Sequence, residues 1–349
     1  MESRTPLHAD TRLAALHAWL ATLSPSLAIA ADTLRPASSD ASFRRYFRLD
    51  MREGTAIIMD APPQHEDCRP FLHVAERLRQ AGLKVPRILA QNLEQGFLLL
   101  SDLGTHTYYH AIQEGLDDNT LQSLYRPALH ALVRMQQASC AGLPSYDTLR
   151  LSEELSVFRE WYIEKHCATT LTPAEEEALA SIFTLLTADN ATQPTVLVHR
   201  DYHSPNLMLP HSPDEEPGII DFQDAVAGPI TYDIASLVTD ARHTWEEPQQ
   251  LDWAIRYWEA ARAAGLPLPD DFAVFHRAYE WMSLQRNLRI LGVFARLSLR
   301  DGKHHYLGHI PRVNGYVRQV ACRYGPFRPL LRLLDRLEGM QPANPLDPV

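Results

Sequence analysis

Two carboxylates and one amide stand at a spacing in this sequence that could support phosphoryl transfer from a nucleotide. Asp201 could accept the proton of an attacking hydroxyl, while Asn206 and Asp221 could hold Mg²⁺ through hard oxygen ligands. Taken singly, each residue also has an ordinary structural interpretation, such as a turn residue or a cap at a strand end. All three fall within one short segment, and this conjunction favours the chemical interpretation.

Three short apolar runs are the elements that must position these side chains. Residues 195–198 precede the loop, residues 207–209 follow it, and residues 218–220 lead directly into Asp221. This alternation predicts strand, loop, strand, turn and strand. The loop between the first two runs reads H-R-D-x-x-x-x-N, which is the catalytic-loop pattern of protein kinases. We place its first residue, His199, in the catalytic set and expect it to support the loop backbone.

Two further stretches distinguish this segment from that of the protein kinases. Phe222-Gln223-Asp224 stands where those enzymes carry Phe-Gly, and residues 228–235 read Gly-Pro-Ile-Thr-Tyr-Asp-Ile-Ala, which resembles a block of small-molecule kinases. The chain therefore resembles the aminoglycoside phosphotransferase and choline kinase-like family. This resemblance implies that Asp233 of the block braces the catalytic loop.

Within this family the sequence is most similar to the bacterial anomeric amino-sugar kinases. The resembling stretches are residues 38–49, 59–63, 101–104, 195–233 and 285–296. The resemblance implies an ATP- and Mg²⁺-dependent kinase that phosphorylates the anomeric C1 hydroxyl of N-acetylmuramate and N-acetylglucosamine in peptidoglycan recycling. Other small hydroxyl acceptors in the same fold, namely homoserine, choline or an aminoglycoside, stay open as alternatives.

The resemblance also implies the fold, which is α+β and of the protein kinase-like bilobal type. A small β-rich N-lobe would bind the nucleotide, and a larger, mainly helical C-lobe would carry the catalytic loop and the acceptor site. The expected domains are residues 1–100 for the N-terminal helix and N-lobe, 101–104 for the hinge, 105–340 for the C-lobe and 341–349 for a tail. Apolar periodicity predicts an N-terminal helix over residues 6–24 that ends at Ser24-Pro25.

The expected nucleotide site departs from the family pattern in two places. The turn at residues 36–42 has no glycine, so hydroxyls, backbone amides and the charge of Arg44 or Arg45 would contact the phosphates. Met59 occupies the place of the phosphate-binding lysine, so Glu76 would bind an arginine or be solvated. Both departures keep a nucleotide-binding pseudokinase as an alternative. The predicted nucleotide-binding residues are Ser39, Ser42, Phe43, Arg44, Leu100 and Leu103.

The acceptor site is expected where C-lobe helices face the catalytic loop, as the resemblance implies. Residues 280–289 are unusually polar for a helix in the middle of a lobe, and arginine matches the geometry of a carboxylate. These side chains could contact the sugar, its acetamido group or the lactyl carboxylate. A structural polar network is an equal alternative for any one of them. The candidate substrate residues are His203, Tyr202, Asp224, Gln285, Arg286 and Arg289.

Composition bounds the class of protein. A net charge of −10 with no basic block argues against nucleic-acid and membrane-surface partners and favours a small-molecule substrate. Four scattered cysteines argue against a disulfide framework, and a zinc site at His199, Asp201 and His203 is a weak third possibility. No stretch resembles a membrane span or a signal peptide, so we expect a cytoplasmic protein. The oligomeric state stays open, and a monomer is compatible with the sequence.

Overall fold

A computed structural model describes residues 11–39, 43–210, 212 and 215–339, with the backbone alone at residues 24–26, 38 and 39. The N-terminal elements are α1 (Thr11–Leu27), β1 (Ile29–Ser39), β2 (Arg45–Met51), β3 (Thr55–Asp60), α2 (Arg69–Gln80), β4 (Ile88–Asn92) and β5 (Phe97–Ser101). The five strands form one antiparallel sheet in the order β1-β2-β3-β5-β4.

The sheet buries side chains on both of its faces, because successive residues of a strand point to opposite sides. On one face, Ala56 and Ile58 of β3 pack with Leu16 and Leu20 of α1. On the other face, Met59 joins the larger core that includes α2 and helices of the C-terminal part. This second face is therefore the one that β3 turns toward the rest of the molecule.

Helix α1 is longer at its C-terminal end than the sequence predicts. The Ser24-Pro25 pair predicts an end at residue 24, yet the helix continues to Leu27. Proline in the last turn removes only one hydrogen bond, and its fixed φ suits a helix, so the helix tolerates it there. Residues 6–10 of the predicted helix lie outside the described residues.

The C-terminal part is mainly helical, as predicted. Its helices are α3 (Tyr108–Glu114), α4 (Asp118–Gln137), α5 (Thr148–Val157), α6 (Pro173–Ala191), α7 (Tyr232–Val238), α8 (Glu247–Ala263), α9 (Phe272–Leu299), α10 (Ile310–Ala321) and α11 (Arg328–Leu337). Helix α5 continues as a π-helical segment, Phe158–His166. None of the helices in the described ranges combines the length and the apolar character needed to cross a membrane.

Two short β-ribbons carry the segment that is expected to be catalytic. Strand β6 (Thr195–Val198) pairs with β9 (Val226–Pro229), and β7 (Leu207–Met208) pairs with β8 (Gly218–Ile219), both antiparallel. The predicted succession of strand, loop, strand, turn and strand is therefore confirmed. Both ribbons are largely buried, so the loop between β6 and β7 begins and ends at fixed points.

Contacts from α2 and from the segment after it join the two parts of the molecule near this loop. Phe71 of α2 packs on Phe222, with the ring centroids 4.8 Å apart. The N–H of Ile219 in β8 donates to the carbonyl oxygen of Lys84 over 2.7 Å. The strand that leads to Asp221 and the residue that follows it are thus both held against the N-terminal part.

Candidate active site

One buried carboxylate holds the loop between β6 and β7. Oδ2 of Asp233, in the first turn of α7, accepts the main-chain N–H of His199 over 2.7 Å, and Oδ1 accepts that of Arg200 over 3.0 Å. The role that the sequence resemblance implied for Asp233 is therefore confirmed. Burial raises the pKa of Asp233 to about 6, which leaves it ionised at neutral pH and able to accept both bonds.

The ring of His199 supports the loop backbone, as expected. Its Nδ1 accepts the main-chain N–H of Asp201 over 3.3 Å, which places the ring proton on Nε2. Nε2 then donates to the carbonyl oxygen of Ile220 over 3.0 Å. With both ring nitrogens engaged, His199 has no nitrogen left for zinc. Moreover, the described part of the chain holds no cluster of three or more His, Cys, Asp or Glu placed to bind a metal.

Two residues of this region adopt left-handed backbone conformations, Arg200 with φ of 76° and Asp221 with φ of 63°. Such a conformation costs a non-glycine residue about 1–3 kcal/mol and persists only where its surroundings impose it. The bonds from Asp233 and His199 supply that restraint. Arg200 directly precedes Asp201, so the restraint on Arg200 fixes the direction in which the Asp201 side chain leaves the backbone. The restraint on Asp221 does the same for its own carboxylate.

Asn206 and Asp221 are brought together, as expected of two ligands to one metal. Nδ2 of Asn206 donates to Oδ2 of Asp221 over 3.3 Å and to the carbonyl oxygen of Asp201 over 2.9 Å. Nε2 of Gln223 donates to Oδ1 of Asp221 over 2.8 Å. An amide and a carboxylate this close form a hard oxygen donor set that fits Mg²⁺.

Asp201 is partly exposed, with 39% of its side chain accessible. Burial opposes its ionisation, but Arg289 above all, followed by His203, Arg286 and Arg200, lowers the pKa of Asp201 to about 2. The carboxylate is therefore fully ionised at neutral pH and available as a proton acceptor. The same arginines make its surroundings positive, in contrast to the net charge of −10 of the whole chain.

His203 lies beside Asp201 and is neutral at neutral pH. Its Nδ1 accepts from Nη1 of Arg242 over 3.2 Å, and its Nε2 lies 3.9 Å from Oδ1 of Asp201. Burial, together with the charge of Arg242, lowers the pKa of His203 to about 3. Asp240 holds Ser204, the residue after His203. Its Oδ2 accepts a hydrogen bond from the main-chain N–H of Ser204 over 3.1 Å and another from the Ser204 hydroxyl. Asp240 and Arg242 are thus part of the site, although no sequence motif marks them.

Glu154 of α5 joins three elements beside the catalytic loop. Its Oε1 accepts from Nη2 of Arg200 over 3.0 Å and lies 3.1 Å from Nε of Arg289, while its Oε2 accepts from the Tyr146 hydroxyl. Arg289 is therefore anchored by a carboxylate, and its charge still acts on Asp201. Sequence reasoning missed Glu154, because only the folded chain brings it across 46 residues to Arg200.

Two of the predicted acceptor residues, Tyr202 and Gln285, have side chains that lie in the core. Both are fully buried. The Tyr202 hydroxyl donates to the carbonyl oxygen of Ala128, and Nε2 of Gln285 donates to that of Leu151, each over 2.8 Å. Each side chain thus bonds to a neighbouring helix, while Oε1 of Gln285 has no hydrogen-bond partner among the described residues, and the contact of both residues with the acceptor stays a prediction.

Asp224 and Arg286 occupy contrasting environments. Asp224 is exposed, and its Oδ2 accepts a long hydrogen bond of 3.5 Å from Nε2 of Gln223. Arg286 is only 4% exposed, and its Nε and Nη1 have no hydrogen-bond partner among the described residues. Of the six predicted acceptor residues, the structure therefore brings His203, Arg286 and Arg289 around Asp201.

Comparison with known proteins also indicates a phosphotransferase. The model of the phosphotransferase enzyme family matches residues 33–275. The chain belongs to this family. The N-acetylmuramate/N-acetylglucosamine kinase of Pseudomonas aeruginosa is 45% identical to it over 346 residues, which cover 96% of this chain and 98% of that protein. The kinase of the same name from Neisseria meningitidis is 41% identical, with 92% of this chain and 94% of that protein covered.

Solved structures share the fold of this phosphotransferase. An ADP-bound aminoglycoside phosphotransferase, 14% identical, superposes with a TM-score of 0.58 over 89% of this chain and 99% of that one. The ethanolamine kinase of Plasmodium vivax, 12% identical, gives a TM-score of 0.60 over 91% of this chain and 89% of that one. The α+β, kinase-like bilobal fold predicted from the sequence is thereby confirmed.

The predicted phosphate turn of the phosphotransferase is described only in part. Ser42 lies outside the described residues, and of Ser39 only the backbone is described, at the end of β1. Phe43 follows the turn with 63% of its surface exposed, and it stacks on His65 with ring centroids 4.4 Å apart. The roles predicted for these three residues in nucleotide binding remain predictions.

The place expected for a lysine is occupied by an apolar residue. Met59 is fully buried in the core on the side of α2. Glu76 is exposed on α2, and its side chain accepts from Nε of Arg79 over 2.9 Å and from Nε2 of Gln80 over 2.8 Å. We expected Glu76 either to bind an arginine or to be solvated, and the arginine partner is confirmed. This partner, Arg79, lies with Glu76 on the exposed side of α2.

In the N-terminal part of the molecule, arginine–carboxylate pairs take the place of a lysine–glutamate pair. Nη2 of Arg44 lies 2.8 Å from Oε2 of Glu66. Asp60, which is fully buried at the end of β3, accepts from Nε of Arg12 and from Nε of Arg45, each over 2.9 Å. The positive charge next to the predicted phosphate turn is therefore that of guanidinium groups which carboxylates hold in position.

The segment expected to be the hinge is tied to both parts of the molecule. Leu100 is buried in β5, and Leu103 reaches β8, where a Cβ on Gly218 would lie 2.9 Å from Cδ1 of Leu103. Between them, Asp102 accepts from Nε of Arg48 over 2.5 Å and from Nη2 of Arg48 over 3.1 Å. The segment predicted to be the hinge is thus fixed to β2 on one side and to the strand before Asp221 on the other.

Proposed function

We propose that this phosphotransferase transfers the γ-phosphoryl group of ATP, with Mg²⁺, to the anomeric C1 hydroxyl of N-acetylmuramate and N-acetylglucosamine. The observation that carries the proposal is an ionised Asp201 surrounded by arginines, beside the adjacent Asn206 and Asp221. Relatives that are 45% and 41% identical over nearly the whole chain are named N-acetylmuramate/N-acetylglucosamine kinases, which supports the two sugars as acceptors. The reaction takes place in the cytoplasm, where ATP is available, and serves peptidoglycan recycling.

The charge around Asp201 separates the alternative acceptors. Arg200, Arg286 and Arg289 would repel an aminoglycoside, which is a polycation, and choline, which is a cation. Homoserine is a zwitterion, so these charges would repel its ammonium group and attract its carboxylate, and they select against it less than against the two cations. N-acetylglucosamine is neutral, and N-acetylmuramate carries a carboxylate that these charges attract. The two amino sugars therefore suit this site best.

The transfer step follows from the positions of these groups. The C1 oxygen forms a bond to the γ-phosphorus, the bond from that phosphorus to the bridging oxygen breaks, and Asp201 accepts the hydroxyl proton. An anomeric hydroxyl is more acidic than an ordinary alcohol, so a carboxylate of low pKa suffices as the base. Asn206 and Asp221 would hold Mg²⁺, which supplies positive charge to the phosphates. Asp233 keeps the loop in place, because positioning carries much of the rate.

A nucleotide-binding pseudokinase is the second candidate. It is favoured by Met59 in place of a lysine and by the lack of glycine at residues 36–42. Against it stands the braced loop that brings Asp201, Asn206 and Asp221 together. A pseudokinase would bind the nucleotide without turning it over, so turnover separates the two candidates.

A panel of acceptors tests the proposal. The purified protein is incubated with ATP, Mg²⁺ and, in parallel, N-acetylmuramate, N-acetylglucosamine, homoserine, choline or kanamycin, while release of ADP is followed. Phosphorus and proton NMR then locate the new phosphate, which we expect at C1 of the two sugars. Asp201→Asn protein, prepared in the same way, controls for a contaminating kinase. Turnover of another acceptor alone contradicts the sugar assignment, and turnover of none supports the pseudokinase.

A further inference from the structure

Arg286 of α9 carries a buried guanidinium for which the fold supplies no partner. The residue is 4% exposed, and its Nε and Nη1 form no hydrogen bond with any described residue. A buried charge is costly unless it is paired and hydrogen-bonded, and buried polar groups in native proteins are nearly always satisfied. An unpaired cation beside a reactive loop therefore points to a ligand that completes it.

The carboxylates near Arg286 are already engaged. Oε1 of Glu154 lies 3.1 Å from Nε of Arg289 and accepts from a second arginine over 3.0 Å. Asp240 accepts two hydrogen bonds from a residue of the catalytic loop. Asp201 is within electrostatic reach of Arg286, but as the predicted base it must stay available to receive a proton. The counter-ion of Arg286 must therefore come from outside the chain.

The position of Arg286 favours the acceptor over the phosphates as the source of that anion. The charge of Arg286 acts on Asp201, the predicted base that must meet the acceptor hydroxyl, and on His203, whose Nε2 lies 3.9 Å from Oδ1 of Asp201. The predicted ligands of the metal that holds the phosphates are other residues, Asn206 and Asp221, which contact each other over 3.3 Å. This division leaves Arg286 to the molecule that brings the hydroxyl.

We propose that Arg286 binds the carboxylate of the lactyl ether of N-acetylmuramate, an inference that rests on the proposed function. A planar guanidinium matches a carboxylate through two parallel hydrogen bonds, and it is less strongly hydrated than an ammonium group. The lactyl ether on C3 of the pyranose ring lies two carbons from C1. A sugar whose C1 hydroxyl meets Asp201 can therefore place its carboxylate beside the base. N-acetylglucosamine lacks this group, so it cannot form this contact and should depend on Arg286 less than N-acetylmuramate does.

The first test compares the two sugars in variants of one position. Arg286→Gln should lower kcat/KM for N-acetylmuramate roughly 10- to 100-fold more than it lowers kcat/KM for N-acetylglucosamine, the range for a lost hydrogen bond to a charged group. Arg286→Lys keeps the charge without the planar fork and should recover part of the loss. Arg277→Gln is the matched control, because Arg277 lies on the same helix but pairs at the surface with Asp189 over 2.9 Å.

A second test changes the sugar. The methyl ester of N-acetylmuramate keeps the shape of the lactyl group and removes its charge, so wild-type protein should prefer the acid by roughly 10-fold or more. Arg286→Gln protein should treat acid and ester alike, and the two changes together form a cycle that isolates the contact. The melting temperature of Arg286→Gln, compared with that of wild type, shows whether the fold itself depends on this guanidinium.

The possible outcomes separate the inference from the proposed function. If Arg286→Gln lowers kcat/KM equally for both sugars, or if wild type does not distinguish acid from ester, the carboxylate contact is overturned while the kinase activity stands. A melting temperature well below that of wild type would show that the guanidinium has a partner within the fold, and would also overturn it. If wild-type protein phosphorylates neither sugar, the proposed function itself fails.

Discussion

The buried carboxylate of Asp233 accepts the main-chain N–H of His199 over 2.7 Å, although 34 residues separate the two in sequence. The second carboxylate oxygen accepts the N–H of Arg200 over 3.0 Å. Both oxygens therefore act as acceptors for the backbone that directly precedes Asp201. The geometry of the catalytic loop thus depends on a side chain that does not itself meet the reactants.

Asp233→Asn should impair catalysis through this dependence. The amide has one acceptor oxygen, and its NH₂ group would face a main-chain N–H, which leaves a buried donor unpaired at a cost of about 1–3 kcal/mol. We expect kcat to fall roughly 100-fold, since a slightly misplaced catalytic group loses about that much. Steady-state kinetics at saturating sugar and nucleotide measures the effect. An unchanged kcat would mean that the loop keeps its shape without Asp233.

The pKa of Asp233 also predicts how stability depends on pH. Burial raises this pKa to about 6 from 3.8 in the unfolded chain, so the folded protein binds the proton more tightly. The contribution of Asp233 to the free energy of unfolding is therefore fully present below pH 4 and is lost as the pH rises to 6, by about 3 kcal/mol. Asp233→Asn cannot titrate there. Its stability relative to wild type, measured by urea unfolding from pH 4 to 7, should rise with pH, and a constant difference would contradict the assignment.

Asp201→Asn should keep nucleotide binding and lose turnover. The amide has nearly the size of the carboxylate but cannot accept the hydroxyl proton, so we expect kcat to fall by about 1,000-fold or more. The nucleotide should bind with a Kd within about 3-fold of wild type, since Asn206 and Asp221 are untouched. Single-turnover kinetics and calorimetry with ADP measure the two quantities. Turnover close to wild type would reject Asp201 as the base.

The three residues Asp201, Asn206 and Asp221 could be predicted from sequence because they lie in one continuous segment. Strand periodicity places them at the ends of β6, β7 and β8, and the H-R-D-x-x-x-x-N spacing needs no knowledge of distant parts of the chain. The start of α6 also carries a local signal, because Thr172 and Glu175 lie close in sequence and form a capping box.

The side chains around these residues could not be predicted, because the fold alone brings them together. Gln285 and Arg286 are neighbours on α9, yet one donates to the carbonyl oxygen of Leu151 in the core and the other is an unpaired cation beside Asp201. The middle of α9 is buried on nearly every side. A helix without a polar face gives no periodic signal of its rotation, so the sequence leaves open which polar residue meets the catalytic loop.

Asp102 should link stability to nucleotide binding at the hinge. Besides Arg48, it accepts from the Thr55 hydroxyl over 2.6 Å and from the N–H of Gly104 over 2.9 Å. Asp102→Ala leaves the largely buried Arg48 without its carboxylate partner, and we expect a loss of about 2–4 kcal/mol in the free energy of unfolding. The KM for ATP should rise at the same time, because the freed segment is the predicted hinge.

Asp67 provides the matched control for Asp102. It also pairs with an arginine, Arg69, over 2.9 Å, but both side chains are exposed. Exposed pairs contribute little, so Asp67→Ala should change the free energy of unfolding by less than about 1 kcal/mol. Equal effects of the two substitutions in denaturant unfolding would show that the Asp102 network does not hold the hinge.

Gly292 sets the distance between α9 and the helix that carries Glu154. A Cβ at this position would lie 2.4 Å from the carbonyl oxygen of Val157 and 2.7 Å from the backbone nitrogen of Phe158, so the two helices must move apart in Gly292→Ala. Overpacking of this kind costs about 1–3 kcal/mol. Gly315→Ala on α10 is the matched control, because nothing lies within 4 Å of its added Cβ. There alanine should stabilise by about 0.5–1 kcal/mol.

The same displacement should reach the active site. Arg289 and Arg286 lie within two turns of Gly292 on α9, and Arg289 bonds to Glu154 across the contact that Gly292 makes possible. Gly292→Ala should therefore lower kcat/KM for N-acetylmuramate as well as the melting temperature, whereas Gly315→Ala should leave kcat/KM unchanged. If Gly292→Ala loses stability but keeps full activity, the position of α9 does not control the charge around Asp201.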